Sequence, residues 1–210
     1  SNRVKFQQFN HSTKSMKHFT VVLLLLSFPF ALQASDCNDT ANEIRMSDRI
    51  DDAIDVLDDC LSEELGRVAR TYLLLGLTFY DTGEQQKAIA NYSEAIELVP
   101  NYVTAFANRG LSQLMNGEYD LALDDFKQAI DLDPDYMQAY YFRAFAHQQK
   151  GDYRGALEDF NTALTLTKDS GEIATIYYNR GRANTELKRY DEALADYEQA
   201  ISLQPEDANI

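Results

Sequence analysis

Three histidines, two cysteines and 34 carboxylates are the groups in this 210-residue chain that could carry acid–base, nucleophilic or metal chemistry. Their spacing supports little of it. His11 and His18 lie in a leading segment without carboxylates, which leaves His147 alone among the acids. It occupies a slot that holds Phe79, Gln113 and Asn184 elsewhere, so it reads as a polar packing residue. Carboxylate pairs such as Asp58–Asp59 and Asp124–Asp125 are adjacent in the chain, and neighbours on a helix point in different directions. No His-Glu-x-x-His, glycine-rich phosphate loop or Gly-x-Ser-x-Gly element occurs. Cys37 and Cys60 form no Cys-x-x-Cys motif, and two thiols beside one histidine are too few for a metal centre. The expectation is a protein that is not an enzyme and takes neither metal nor cofactor.

A second set of charged residues is spaced regularly. Arg109, Arg143 and Arg180 each precede an aspartate by sixteen residues, at Asp125, Asp159 and Asp196. Where the arginine slot holds Leu75, the aspartate slot holds Asn91. Arginine and aspartate come and go together. That pattern predicts an ion pair between two helices of one unit, a planar guanidinium matched to a carboxylate, rather than a ladder for a ligand.

The elements that would position these groups recur. An aromatic residue (Tyr72, Phe106, Tyr140, Tyr177) is followed four residues later by a small one (Gly76, Gly110, Ala144, Gly181). Then come Ala88, Ala122, Ala156 and Ala193, a second aromatic (Tyr92, Phe126, Phe160, Tyr197), and Ala95, Ala129, Ala163 and Ala200. Three units close on Pro100, Pro134 and Pro205. The period is 34 residues from Gly76 to Gly110 and from Gly110 to Ala144, then 37 to Gly181, so about three residues are inserted near Lys168–Gly171. Each unit reads as two amphipathic helices. In the second unit they run roughly from Val103 to Asn116 and from Tyr119 to Leu132, with Gly117 turning the chain and Asp133–Pro134 stopping the second helix. A single hairpin cannot bury its apolar face, whereas stacked hairpins can.

Over about Ala69–Pro205 these residues resemble the tetratricopeptide repeat family. The resemblance implies an all-α fold, a right-handed α-solenoid of antiparallel helix pairs. The family's first-helix tryptophan is Tyr or Phe throughout, and the third unit lacks the closing proline. The organisation expected is repeats at 69–102, 103–136, 137–173 (with the insertion) and 174–207, with 208–210 opening a cap or a further repeat. A degenerate hairpin at 35–68 precedes them. Its second helix would be Asp48–Leu61, with Ala53, Leu57 and Cys60 in the Ala, aromatic and Ala slots, and Asp36–Met46 its first. In such a hairpin Cys37 and Cys60 become neighbours. A disulfide between them would staple the weakest unit by about 2–4 kcal/mol; two free thiols are the alternative.

The segment 16–34 reads as a secretory signal peptide: Lys17 and His18, an apolar run from Phe19 to Leu32, then Ala34 as a small residue for cleavage. The run falls short of the about 20 residues of a membrane span, with retention as a signal anchor the competing reading. Residues 1–15 read as a non-native or disordered upstream segment. The expected location is periplasmic or secreted. All 34 acidic residues and 15 of the 19 basic ones follow Ala34, a net charge of −19 for the mature chain. That charge argues against nucleic acid and against docking to anionic lipid.

In the resembled family the first helices line the concave face. That implies a groove of Leu73, Leu74 and Leu77, then Asn108 and Leu111, then Tyr141, Phe142 and Phe145, then Tyr178, Asn179 and Arg182. Aromatic area would anchor a protein or peptide, with Asn and Arg holding its backbone or carboxylate. The two-carboxylate clamp of chaperone-binding members is missing: only Asn108 fits, while Leu73, Leu77, Gln138 and Phe142 stand in the other slots. The function expected is a non-catalytic binding scaffold of the bacterial envelope. The alternative is a spacer or self-association module of a larger or membrane-anchored protein, associating through its uncapped C-terminal end. A small-ligand or enzymatic role would need a deep pocket with convergent titratable groups.

Overall fold

The computed structural model describes residues 50–204, with side chains from residue 62. The chain divides into a unit of Ser1–Glu64 and one of Leu65–Ile210, and the second holds the four clear repeats. The described helices are α1 (Ile50–Asp81), α2 (Gln85–Leu98), α3 (Val103–Met115), α4 (Tyr119–Leu132), α5 (Met137–Gln149), α6 (Tyr153–Leu166), α7 (Ser170–Glu186) and α8 (Tyr190–Leu203). No strand occurs among the described residues. Pairs α3/α4, α5/α6 and α7/α8 are the hairpins of successive repeats, and α4 packs on α5 and α6 on α7, so the unit is an α-solenoid.

The turns inside the hairpins need a left-handed residue. Gly83, Gly117 and Gly151 supply it at φ of 80°, 81° and 77°, while the fourth hairpin uses Lys188 at φ 60°. Small residues then let the two helices of a hairpin approach. A Cβ on Gly110 would lie 2.9 Å from Cε1 of Phe126, and one on Gly181 2.8 Å from Cε1 of Tyr197. The rings of Tyr92, Phe126 and Phe160 are fully buried by this approach, each burial contributing about 1.5–3 kcal/mol. Ala88, Ala122 and Ala156 are sealed beside them. The periodic alanines and the second aromatic of the first three repeats are therefore core.

Tyr92 has no counterpart hydroxyl in the next two repeats, where Phe126 and Phe160 stand. Its ring is fully buried, and its Oη has no hydrogen-bond partner among the described residues. Burial, with Asp81 and Tyr80 nearby, raises its pKa well above the ordinary 10.0. The folded state thus keeps a proton that the unfolded chain gives up, and stability present below pH 10 is lost as pH rises beyond it. Tyr92→Phe is expected to be neutral or stabilising by about 1 kcal/mol at pH 8 and to fall less between pH 8 and pH 10.5 in urea melts. An equal alkaline fall in parent and variant would remove this assignment.

One local expectation is revised. A break was expected between a helix ending at Leu61 and a fresh first-repeat helix near Ala69, but α1 runs unbroken from Ile50 to Asp81. The stretch from Ser62 to Val68 contains no proline, and Gly66 alone weakens a helix by only about 1 kcal/mol. The three inserted residues lengthen α7 to 17 residues, against 13 for α3 and α5. In place of the missing proline, Asp169 caps α7, its carboxylate accepting from the backbone N–H of Gly171 (2.9 Å) and Glu172 (3.0 Å). The expected signal segment 16–34, Asp36–Met46, Cys37, the side chain of Cys60 and residues 205–210 lie outside the described residues.

Candidate functional site

The charged pairs form one structural layer. Arg109 donates to Asp125 from Nε and Nη2, both at 2.7 Å. Arg143 donates to Asp159 at 2.9 and 2.6 Å. Arg180 reaches both oxygens of Asp196 from Nε, at 3.2 and 3.0 Å, and adds a bond from Nη2. The aspartates are buried, at 5%, 4% and 3% exposure. Each guanidinium also lies over the first aromatic of its own helix: Phe106 at 5.6 Å, Tyr140 at 5.5 Å and Tyr177 at 5.0 Å. The hydrogen bond that Arg143 donates to Asp159 is the main cause that raises the Arg143 pKa. These groups are consumed in holding first helix to second.

The arginines also reach backwards, which sequence reasoning missed. Arg109 Nη1 donates to Ser93 at 3.0 Å, and Arg180 Nη1 to Asn161 at 2.7 Å, both on the preceding repeat's second helix. The shared slot at Ser93, Lys127 and Asn161 carried that signal. Lys127 cannot accept from Arg143 and instead bridges Asp131 at 2.7 Å. His147 is structural as well. Its Nδ1 lies 2.9 Å from Asp152, the residue that caps α6, and its Nε2 lies 3.9 Å from Asp159.

The proposed groove residues divide by burial. On α1, Leu74 is exposed, with Leu73 and Leu77 half-buried. Asn108 and Leu111 of α3 are half-buried, Leu111 leaning on the cluster of Ala122, Phe126 and Ala146. On α5, Phe142 stacks on Phe126 (centroids 6.3 Å apart), and Tyr141 meets the edges of Phe142, Phe145 and Phe160. These rings serve packing and still present an edge to solvent, since all three α5 candidates are half-buried. Burial raises the pKa of Tyr141, so its hydroxyl stays protonated. On α7, Tyr178 is half-buried against Tyr197 (5.9 Å) and Arg182 is exposed.

Asn179 is a correction. It is buried at 6% exposure, and its amide donates to the Thr175 carbonyl (2.9 Å) and to the Tyr141 hydroxyl (3.3 Å). It ties α7 to α5 and has no free face for a partner. Of the groove candidates, Leu73, Leu74 and Leu77 on α1 keep accessible surface, as do Asn108 and Leu111, Tyr141, Phe142 and Phe145, and Tyr178 and Arg182 as a strip on α3, α5 and α7.

A cleft of about 400 Å³ lies where the α4–α5 turn meets the α6–α7 turn, lined by Asp133, Asp135, Lys168 and Glu172 among others. Glu172 is hydrogen-bonded to Thr167 there. Among the described residues no three His, Cys, Asp or Glu side chains group as a metal site, and no helix is long and apolar enough to cross a membrane.

Family models described as tetratricopeptide repeat match residues 103–136 and 135–206, and one described as TPR repeat matches 76–117. No curated protein matches the chain. Among solved structures, a crystal structure of MamA aligns with a TM-score of 0.62 at 24% identity, over 81% of this chain and 97% of that one. MamA 41-end from Desulfovibrio magneticus RS-1 aligns with 0.62 at 18% identity, over 84% and 98%. The first TPR of Spaghetti (RPAP3), bound to the HSP90 peptide SRMEEVD, aligns with 0.51 at 22% identity, over 62% and 95%. At these identities the likeness is one of fold.

Proposed function

Because the chain belongs to the tetratricopeptide repeat family, whose arrays are protein-interaction scaffolds, we propose that it is a non-catalytic protein- or peptide-binding scaffold of the bacterial envelope. The partner lies as an extended segment or helix across α3, α5 and α7. The observation that carries this reading is the accessible strip. Apolar and aromatic edges at Leu111, Tyr141, Phe145 and Tyr178 alternate with hydrogen-bonding groups at Asn108 and Arg182. Aromatic edges supply contact area at low entropic cost, and the polar ends fix orientation. The envelope setting rests on the apolar run at 16–34. The acidic balance favours a partner that is not itself acidic.

The test is a crosslinking pull-down from envelope extract with the parent and with a Tyr178→Ala/Arg182→Glu variant. Loss of an anchor residue typically costs about 2 kcal/mol or more, so specific partners are expected to fall by roughly thirtyfold in the variant. Circular dichroism of both proteins controls for folding. Identical recovery by two equally folded proteins would leave the strip without a role.

A further inference from the structure

The array makes the same interface between repeats three times, and on its first and last described helices the two halves of that interface meet nothing among the described residues. The forward half lies on the second helix of each repeat. Leu123 packs with Ala146 and Phe142 of the next repeat, and Leu164 with Ile176. The equivalents of these positions inside the array are covered: Leu157 is 8% exposed, and Ile89, Leu123, Ile96, Ile130 and Leu164 are at least half-buried. On α8 the same slots hold Leu194 and Ile201, exposed at 59% and 49%, with Tyr190 beside them at 63%.

The rear half lies on the first helix, at slots that hold the buried Ile176, Asn179 and Ala183 in α7. In α5 it is Ala139, Phe142 and Ala146, with both alanines at zero exposure. In α3 it is Ala105, Asn108 and Ser112, with Ala105 and Ser112 likewise sealed. In α1 it is Thr71, Leu74 and Thr78, with Leu74 exposed at 57%. The two threonines turn their hydroxyls back to their own helix, bonding the carbonyls of Arg67 (3.2 Å) and Leu74 (2.9 Å). Their O–H donors are therefore satisfied within α1.

We infer that copies of this chain stack head to tail, the Leu194/Ile201 face of α8 in one copy covering the Thr71/Leu74/Thr78 face of α1 in the next. The occupant is a second copy because the junction continues the stacking the chain already makes within itself, slot for slot. The contact is heterologous, since the two faces differ, so it adds copies without closing on itself unless the rotation per copy brings the ends together. It uses residues outside the binding strip and does not rest on that reading. The copies are acidic, at −15 each. Their mutual repulsion is screened by salt while the apolar junction is not, so association strengthens as ionic strength rises.

Sedimentation velocity of the full chain from about 1 to 200 µM at two salt concentrations tests it. The parent is expected to pass through successive multiples of 23.9 kDa with concentration. Leu194→Glu and Leu74→Glu, both at exposed positions, are each expected to weaken association at least about tenfold. Mixed together they retain one good face each, so a two-copy species is expected and nothing larger. A parent that stays a single copy at every concentration overturns the inference, whatever covers the faces. So does a Leu74→Glu chain that still pairs, which would point to α8 against α8, or a mixture of folded variants that gives no pair.

Discussion

Arg143→Ala is expected to destabilise the array by about 3–5 kcal/mol, the range for removing one partner of a buried ion pair. Asp159 is 4% exposed and takes two bonds from Arg143, at 2.9 and 2.6 Å. Without the guanidinium its charge stays buried, with the His147 ring nitrogen Nε2 at 3.9 Å. Asp159→Asn keeps the shape and leaves an arginine that is 23% exposed and can recruit water, so it is expected to cost less, about 1–3 kcal/mol. The first repeat supplies the control, because Leu75 and Asn91 occupy these slots there. An Arg143→Leu/Asp159→Asn double variant is therefore expected to recover a large part of the Arg143→Ala loss. Chemical denaturation of the variants gives the coupling energy directly. If Asp159→Asn unfolds at the same denaturant concentration as the parent, the pair does not hold the hairpin.

Phe160→Ala is expected to cost about 3–5 kcal/mol, as deletion of a sealed aromatic ring usually does. The ring has zero exposure and sits in one cluster with Met137, Ala144, Ala156, Ala163 and Ile176. It meets the edges of Tyr141 at 6.1 Å and Phe145 at 5.8 Å. Because Ile176 belongs to α7, the cavity would loosen both the hairpin and the stack on the next repeat. Tyr197 fills the same slot in the last repeat, but it is half-buried and no further repeat is described beyond it. Tyr197→Ala is expected to cost clearly less, about 1–2 kcal/mol on the area it buries. Urea melts of the two variants check the order. Equal losses would mean that stacking between repeats adds nothing to the hairpin's own packing. Since a solenoid's stability is a sum over units and junctions, the Phe160 variant is also expected to broaden the transition.

The arginine–aspartate pairs were legible because repeats act as internal controls: two residues that vanish together in one unit are coupled in the others. The accessible strip was legible only in part. Tyr141, Tyr178 and Arg182 keep accessible surface, but Asn179 lost its place because its amide meets a hydroxyl 38 residues earlier in the chain. No spacing within one helix reveals that contact. The same holds for the second bonds of Arg109 and Arg180 to Ser93 and Asn161, which cross from one repeat to the one before.

What the sequence determined by itself was what lies within one helical hairpin. That includes the helix pairs, their turns at Gly83, Gly117 and Gly151, the aromatic and alanine core, and the buried charges. These depend on periodicity, backbone preference and pairing within one hairpin, which short stretches of chain specify. The tertiary structure alone decided which side chains the neighbouring repeat covers, and that Leu74, Leu194 and Ile201 stay exposed among the described residues. Burial is a property of two surfaces meeting. A residue's own repeat can place it on a face but cannot say whether anything lies against it.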